Sequence, residues 1–451
     1  MNKILLQGGR VIDPFAASDS IRDVLIVNGK IADVGNLNHD SDARIIDARH
    51  LVVAPGFIDL HTHLREPGHE DRETISSGTA AAARGGFTTV CCMPNTSPSI
   101  DSATVVEFIN KQAGASGPVR VLCFGAVSVG RNGKMLTDME ELARAGVVGF
   151  TDDGSPIATG HLMQSALLYA SELGLPIMDH CEDHSISQGL GMNEGAVSSR
   201  LGLTGYPSAA EESLIARNIA ILEMTRGHFH VAHVSSAGSV ELIRSARARG
   251  LNVTAEVTPH HLTMTEDWVL GTHGNTQPID PLTHEAYETR AKVSPPLRGA
   301  SDQDALIAGL LDGTITAIAT DHAPHTFSDK AVPFEEAAVG ISSLETAFGS
   351  LMGLVHSGRI SLPMAIHRLT AGPASVLDSR FQQKSAFDRG ATADLVVFDP
   401  DEDWIVDSAQ FASKGKNTPL DGKQLKGRVK LAIAQGSIAF DSIATSTGEH
   451  N

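Results

Sequence analysis

Between residues 54 and 320 the chain repeats one pattern, a short apolar run followed by a longer segment of helical period. This alternation constrains the fold more than any other feature. A short apolar run suits a strand buried on both faces, and helical crossovers between such strands make their neighbours parallel. Eight runs have this character, at 56–61, 87–93, 119–127, 147–151, 176–180, 228–233, 252–257 and 315–320. Helical periods lie between most of them, at 73–84, 104–112, 138–145, 161–173, 209–226 and 239–249. The expected class is α/β. Eight strands with helical crossovers predict a (β/α)8 TIM-like barrel, whose active site lies at the C-terminal ends of the strands.

The ends of the chain read differently. Short strands broken by turns are expected at 3–11, 24–27, 31–34 and 44–46, with no helical period among them. After Pro373 and a polar linker, 392–399 and 429–433 again read as strands. The economical arrangement is a small β-sandwich domain built from both termini, residues 1–54 and 376–451, flanking a catalytic barrel at 55–375. The tail from Ser442 is expected to fray.

Composition narrows the partners. A formal charge of -18 argues against nucleic acid or an anionic membrane, both of which need a basic footprint. No apolar stretch approaches the ~20 residues of a membrane span, and Met1 to Gly9 lacks the long apolar core of a signal peptide. A soluble, cytoplasmic protein is expected. Cys91, Cys92, Cys123 and Cys181 show no CxxC spacing and read as reduced, buried thiols.

Chemistry-bearing residues gather where the strands end. His61 and His63 are two apart, so a strand places both imidazoles on one face with Arg65 next in line. Such a pair, in a chain of twenty histidines, can equally be a packing detail. The other strand ends weigh against that. Strand four ends in Asp152 and Asp153, strand five in His180 and Glu182, strand six in His233, and strand eight in Asp321, His322 and His325. Histidine nitrogen with carboxylate oxygen, and no thiolate, suits a catalytic zinc or similar divalent ion that keeps a position open for water.

The phrases Asp59 to Gly68, Gly85 to Val90, Met93 to Thr96, Phe150 to Gly154, Ala232 to Ser235, Thr258 to Leu262 and Thr320 to His325 run through the expected barrel in order. They resemble the dihydroorotases of the amidohydrolase superfamily, in the bacterial group whose two-metal site is bridged by aspartate. The resemblance implies that His61, His63 and Asp321 hold one metal, that His180 and His233 hold a second, and that Asp153 bridges them. It implies Zn2+ as cofactor, one or two ions per chain, with Asp321 as the catalytic proton carrier. The implied reaction is the reversible cyclisation of N-carbamoyl-L-aspartate to L-dihydroorotate in de novo pyrimidine biosynthesis. Arg65 would clamp the substrate carboxylate, because a planar guanidinium makes two parallel charge-assisted bonds to it. Asn95 and His325 are its implied helpers. Aspartate transcarbamoylase is a possible partner and a homo-oligomer is expected.

Two details separate this reading from its rivals. Relatives acting on hydantoins or allantoin generally bridge their metals with a carbamylated lysine, and here the nearest lysine preceding Asp153 is Lys134. Ser294 points the other way. Family members usually carry asparagine before the paired prolines, and serine is shorter and lacks the amide's two ends. A cyclic amidohydrolase of hydantoinase or allantoinase type therefore stays open, as does a non-catalytic partner of the transcarbamoylase. His260 and His261 read first as packing, His322 and Asp152 as turned from the site, and Glu182 and Asp183 as orienting their neighbours. Segments 263–289 and 323–340 read equally as lids or as surface connections.

Overall fold

The computed structural model describes residues 2–37, 42–187, 191–271, 286–377 and 385–443. Parallel strands occupy the middle of the chain, in two sets. Phe57–Thr62, Phe87–Cys92 and Arg120–Cys123 pair in sequence order, as do Ile177–Asp179, Phe229–Val231, Val253–Val257 and Ala317–Ile318. Between the sets lies 147–151, where the sequence predicts a strand and the structure forms only isolated parallel bridges, Phe150 to Gly125 and Phe150 to Ile177. The segment is nonetheless hydrogen-bonded to both neighbours: Val148 and Thr151 donate to Cys123 and Gly125, Gly125 and Val127 donate back to Gly149 and Thr151, and on the other side Phe150 donates to Pro176 while Met178 donates to Phe150. At the opposite flank Thr62 bridges in parallel to His322.

Helices fill the crossovers. Ile75–Arg84, Ala103–Ser116, Met139–Ala145, Gly160–Leu173, Ala209–Thr225 and Ala237–Ala248 stand where helical periods were read. Their starts are chemically marked. Thr74, Asp138, Thr159 and Ser236 each accept a hydrogen bond from an otherwise unpaired first-turn amide. Ala300–Asp312, Leu344–His356, Leu362–Leu369 and Ala371–Val376 add four helices that the sequence reading left out.

Both ends of the chain meet in one eight-stranded sheet. Its order runs Ser437–Asp441, Gln424–Ala434, Leu395–Ile405, Val52–Pro55, Lys3–Asp13, Ser18–Val27 and Lys30–Gly35, with Arg44–Asp47 also paired to Lys3–Asp13. Val52–Pro55 and Ser437–Asp441 are strands the sequence reading did not place. Val52–Pro55 is the seam, antiparallel to Leu395–Ile405 and parallel to Lys3–Asp13. The sheet has an apolar core of its own, including Leu6, Val24, Ile26, Val53, Leu395 and Leu431. Phe398 joins it to the parallel strands, packing 4.5 Å from Phe348, which stacks 5.5 Å from Phe57. The polar linker at 378–384, residues 272–285 of one supposed lid and the tail from 444 lie outside the described residues. All four cysteines are buried and free.

Candidate active site

Asp153 stands between two pairs of histidines. Its Oδ2 lies 3.3 Å from His61 Nε2 and 3.6 Å from His63 Nε2. Its Oδ1 lies 3.6 Å from both His180 Nδ1 and His233 Nε2. Asp321 Oδ1 completes the first group, 3.0 Å from His63 Nε2 and 3.6 Å from His61 Nε2. In the second group the ring nitrogens of His180 and His233 face each other at 2.9 Å. The structure thus brings together all six residues assigned to metal by resemblance, and every one is buried.

The fit to a divalent ion can be judged from these atoms. Four ligands on a tetrahedron of ~2.0–2.1 Å bonds stand about 3.4 Å apart. The observed spacings of 2.9 to 3.6 Å bracket that value. Two of the converging atoms, His61 Nε2 and Asp153 Oδ1, are buried without a hydrogen-bond partner. Buried polar atoms are normally satisfied, and one such atom in each histidine group fits a position that a divalent ion could occupy. His61, Asp153 and His233, and likewise His61, His63 and Asp321, are groups able to hold a metal.

Electrostatics agree with the geometry. Burial pushes the Asp153 carboxyl up, but His61 and the other histidines around it hold it well below the usual range. Asp321 is likewise lowered, burial being outweighed by His63 and His61. Burial opposes charge on His180, yet Asp153 and Glu182 raise it to about 10. Protons held so firmly between carboxylates are ones a dication would replace.

Three of the four rings are aimed by a partner on the other nitrogen. His63 Nδ1 lies 2.9 Å from Asn95 Oδ1, so Asn95, expected beside substrate, also orients a histidine of the ligand ring. His180 Nε2 lies 3.2 Å from Glu182. His61 Nδ1 lies 2.7 Å from Glu256 Oε1, a fully buried carboxylate that the sequence reading missed. It stands alone inside Val253–Val257, a strand otherwise of small and apolar residues, with no spacing to mark it. His233 and Asp321 have φ of 31° and 45°, sparsely populated for residues other than glycine and typical of functional sites.

A cavity of about 540 Å³ opens over the group. Arg65, Asn95, Ser294 and His325 all line it, and no lysine among the described residues does. Arg65 is buried, with φ of 64°, and its Nε donates to the Pro324 carbonyl at 3.3 Å. Its neighbour Glu66 accepts from the Ile75 amide rather than pairing with Arg65. His325 Nε2 lies 2.8 Å from the Val339 carbonyl, so that nitrogen carries the proton and the 3.3 Å approach of Arg65 is packing. Burial, with Arg65 next in weight, lowers the His325 pKa to about 3 and keeps the ring neutral. Ser294 Oγ is buried with no hydrogen-bond partner. Arg72 and Arg131 also line the cavity, and the sequence reading singled out neither.

Other candidates fall away from the ligand ring. Asp152 accepts from the Ser128 amide and hydroxyl, and His322 pairs with Glu73 at 3.2 Å. His261 spans Thr258 and the Pro295 carbonyl, and Asp183 closes a turn with Ser185. Neither ring nitrogen of His260 has a partner, and burial, reinforced by His261, keeps that ring neutral. The segment after Asp321 is pinned as a wall. Gly340 donates to the Lys292 carbonyl, Lys330 Nζ donates to the carbonyls of Thr289 and Lys292, and Lys292 Nζ donates to those of Phe334 and Glu335. Gly340, at φ 135°, has no room for a side chain, since a Cβ would stand 2.5 Å from that of Ala323.

Comparison with known proteins adds the family. The model of the Dihydro-orotase-like family matches residues 50–239. A dihydroorotase of Pelotomaculum thermopropionicum is 48% identical over 439 residues, covering 97% of this chain and 98% of that one. The chain belongs to the dihydroorotase family. A dihydroorotase of Anaeromyxobacter dehalogenans strain 2CP-C is 46% identical over 440 residues, with 97% and 98% covered. Among solved structures, the L-hydantoinase (dihydropyrimidinase) of Arthrobacter aurescens superposes with a TM-score of 0.83 at 25% identity, covering 98% of this chain and 97% of that one. Dihydroorotases and hydantoinases alike are cyclic amide hydrolases, and this chain shares their α/β fold. No helix among the described residues is long and apolar enough to cross a membrane.

Proposed function

We propose that the chain is a zinc-dependent enzyme interconverting N-carbamoyl-L-aspartate and L-dihydroorotate, the ring-closing step of de novo pyrimidine synthesis. The observation that carries this reading is a division of labour around one cavity. Asp153 offers one oxygen to each histidine pair, while the Arg65 guanidinium faces the same space, held by the Pro324 carbonyl and paired with no carboxylate at ion-pair distance among the described residues. His61, His63 and Asp321 form one metal position, His180 and His233 the second, and Asp153 the bridge. A divalent ion there would activate water near neutral pH and polarise the amide carbonyl.

The chain's own groups do the rest. Arg65 binds the substrate carboxylate, with Asn95 Nδ2, the His325 edge and Ser294 Oγ fixing the ring beside it. Asp321 takes the proton of the attacking water on Oδ1 or Oδ2 and passes it to the leaving ring nitrogen; in the closing direction it moves the proton back. Its depressed pKa keeps it ionised in the free protein. The pinned wall at 323–340 narrows access of bulk water.

Architecture and setting belong to the same proposal. The parallel strands form a (β/α)8 barrel at 55–375, and residues 1–54 with 376–451 form a small β-sandwich domain. The enzyme is taken as a cytoplasmic homo-oligomer, with aspartate transcarbamoylase as a candidate partner. The deciding experiment is an absorbance assay of dihydroorotate opening with and without a chelator. Turnover that disappears with chelator and returns with zinc supports the reading. Faster opening of hydantoin or allantoin than of dihydroorotate would sink the substrate assignment, and activity indifferent to chelator would sink the metal.

A further inference from the structure

Beneath the ligand ring runs a line of polar side chains for which the proposed chemistry has no use. His61 Nδ1 is 2.7 Å from Glu256 Oε1, and Glu256 Oε2 is 3.2 Å from His230 Nε2. His230 Nδ1 is 2.8 Å from Thr254 Oγ1, and that hydroxyl is 2.8 Å from His228 Nε2. Strand register builds the line. His228 and His230 share one face of their strand, Thr254 and Glu256 share one face of the next, and His230 pairs directly with Thr254. His61, His230 and Glu256 are completely buried.

With Glu256 ionised and the rings neutral, one arrangement of protons satisfies every bond in the line. His228 Nε2–H donates to Thr254 Oγ1, and the threonine hydroxyl donates to His230 Nδ1. His230 Nε2–H then donates to Glu256 Oε2, and Glu256 Oε1 accepts from His61 Nδ1–H. One negative charge remains, on Glu256, accepting from both rings. His61 is left with its lone pair on Nε2, the atom that faces Asp153 and Asp321. Nothing in the line reaches His180, which is backed by Glu182.

We infer that Glu256, keyed by His230 and Thr254, is a positioning residue that locks His61 with its proton on Nδ1 and tightens cation binding at the His61–His63–Asp321 position more than at the His180–His233 position. The inference rests on the metal reading above. A carboxylate behind a ligating histidine fixes the ring and raises its basicity, and its loss typically costs 10- to 100-fold in metal affinity.

The test is zinc binding by competition with a chromophoric chelator, for the wild type, Glu256→Gln and Thr254→Val, with circular dichroism melting of each metal-free protein. Glu256→Gln should weaken one equivalent of zinc roughly 10- to 100-fold, leave any other within about threefold, and retain a cooperative melt. Thr254→Val, which never touches His61, should weaken the same equivalent by a smaller factor. Zinc affinity unchanged within about threefold in a folded Glu256→Gln protein overturns the inference. If that variant does not fold, the 15N-histidine spectrum of zinc-loaded wild type decides instead. The His61 signal, assigned by its loss in His61→Asn, should show the proton on Nδ1, and a proton on Nε2 overturns the inference. A wild type that binds no stoichiometric zinc would overturn the metal reading itself, a result distinct from all of these.

Discussion

The floor and the wall of the cavity hold charge in opposite ways. On the floor, buried histidines face buried carboxylates, Asp153, Asp321, Glu182 and Glu256, each at 3.6 Å or less. On the wall, Arg65, Lys292 and Lys330 donate to backbone carbonyls. Carbonyl dipoles solvate a cation without cancelling it. The floor thus gathers carboxylates and histidines into groups able to hold a cation, whereas of the three wall cations Arg65 alone lines the cavity, held by a carbonyl rather than by an ion pair.

The most damaging way to break this contrast is to remove a charge from the floor. Asp321→Asn should lower turnover about 10²- to 10⁴-fold, the range of a positioned proton carrier, with the fold intact. Steady-state assay beside a melting curve checks it, and near-normal turnover would remove Asp321 from that role. Asp153→Asn should also lose bound metal, measured by elemental analysis after dialysis, because both groups depend on its two oxygens.

A charge taken from the wall should cost less and act on binding. Arg65→Met removes charge-assisted bonds worth about 2–3 kcal/mol, so kcat/KM should fall roughly 30- to 150-fold, chiefly through KM. An analogue without the carboxylate should be nearly insensitive to the change. Equal losses for both substrates would show that Arg65 merely supports the wall. Ser294→Asn sharpens the same point with a smaller effect. It should change kcat/KM less than about tenfold, since one neutral hydrogen bond is worth about 1 kcal/mol.

How far these regions were legible depended on chemistry and periodicity. The His61–His63 pair and the Asp321 strand end were readable because polar residues at a fixed two-residue spacing break an apolar run. Glu256 was not, since a lone glutamate within a strand carries no spacing to betray its partners on two other strands. Leu344–His356 escaped notice because nearly every face of it is buried, leaving no polar stripe to set its period. The segment 147–151, expected as a strand, is hydrogen-bonded to the strands on both sides, although only Phe150 forms bridges. Arg131 came from no strand end at all. It lies in a short turn with φ of 55° and chelates the Asp152 carbonyl through Nε and Nη2.

The smallest expected effect bears on the wall's stability rather than on turnover. Burial, reinforced by Lys292, lowers the Lys330 pKa to about 7. An unfolded chain releases that proton near pH 10.4, at about the ordinary lysine value. Between these values the unfolded state holds the extra proton, so stability should rise with pH from about 7 to 10 and gain nothing from Lys330 below that. Amide exchange across 323–340, corrected for its intrinsic pH dependence, should show protection growing over this window. Lys330→Met should flatten the growth, and a wild-type profile that falls over the same window would contradict the assignment.

The seam at Val52–Pro55 has a consequence for how the molecule is made. Its partner, Leu395–Ile405, is translated some 340 residues later, since Val53 pairs with Val397. Throughout that interval one edge of the seam strand stays open on the ribosome, next to the site-bearing strand that begins at Phe57. The parallel strands can collapse as they emerge, but the sheet that buttresses their first member closes only near the end of synthesis.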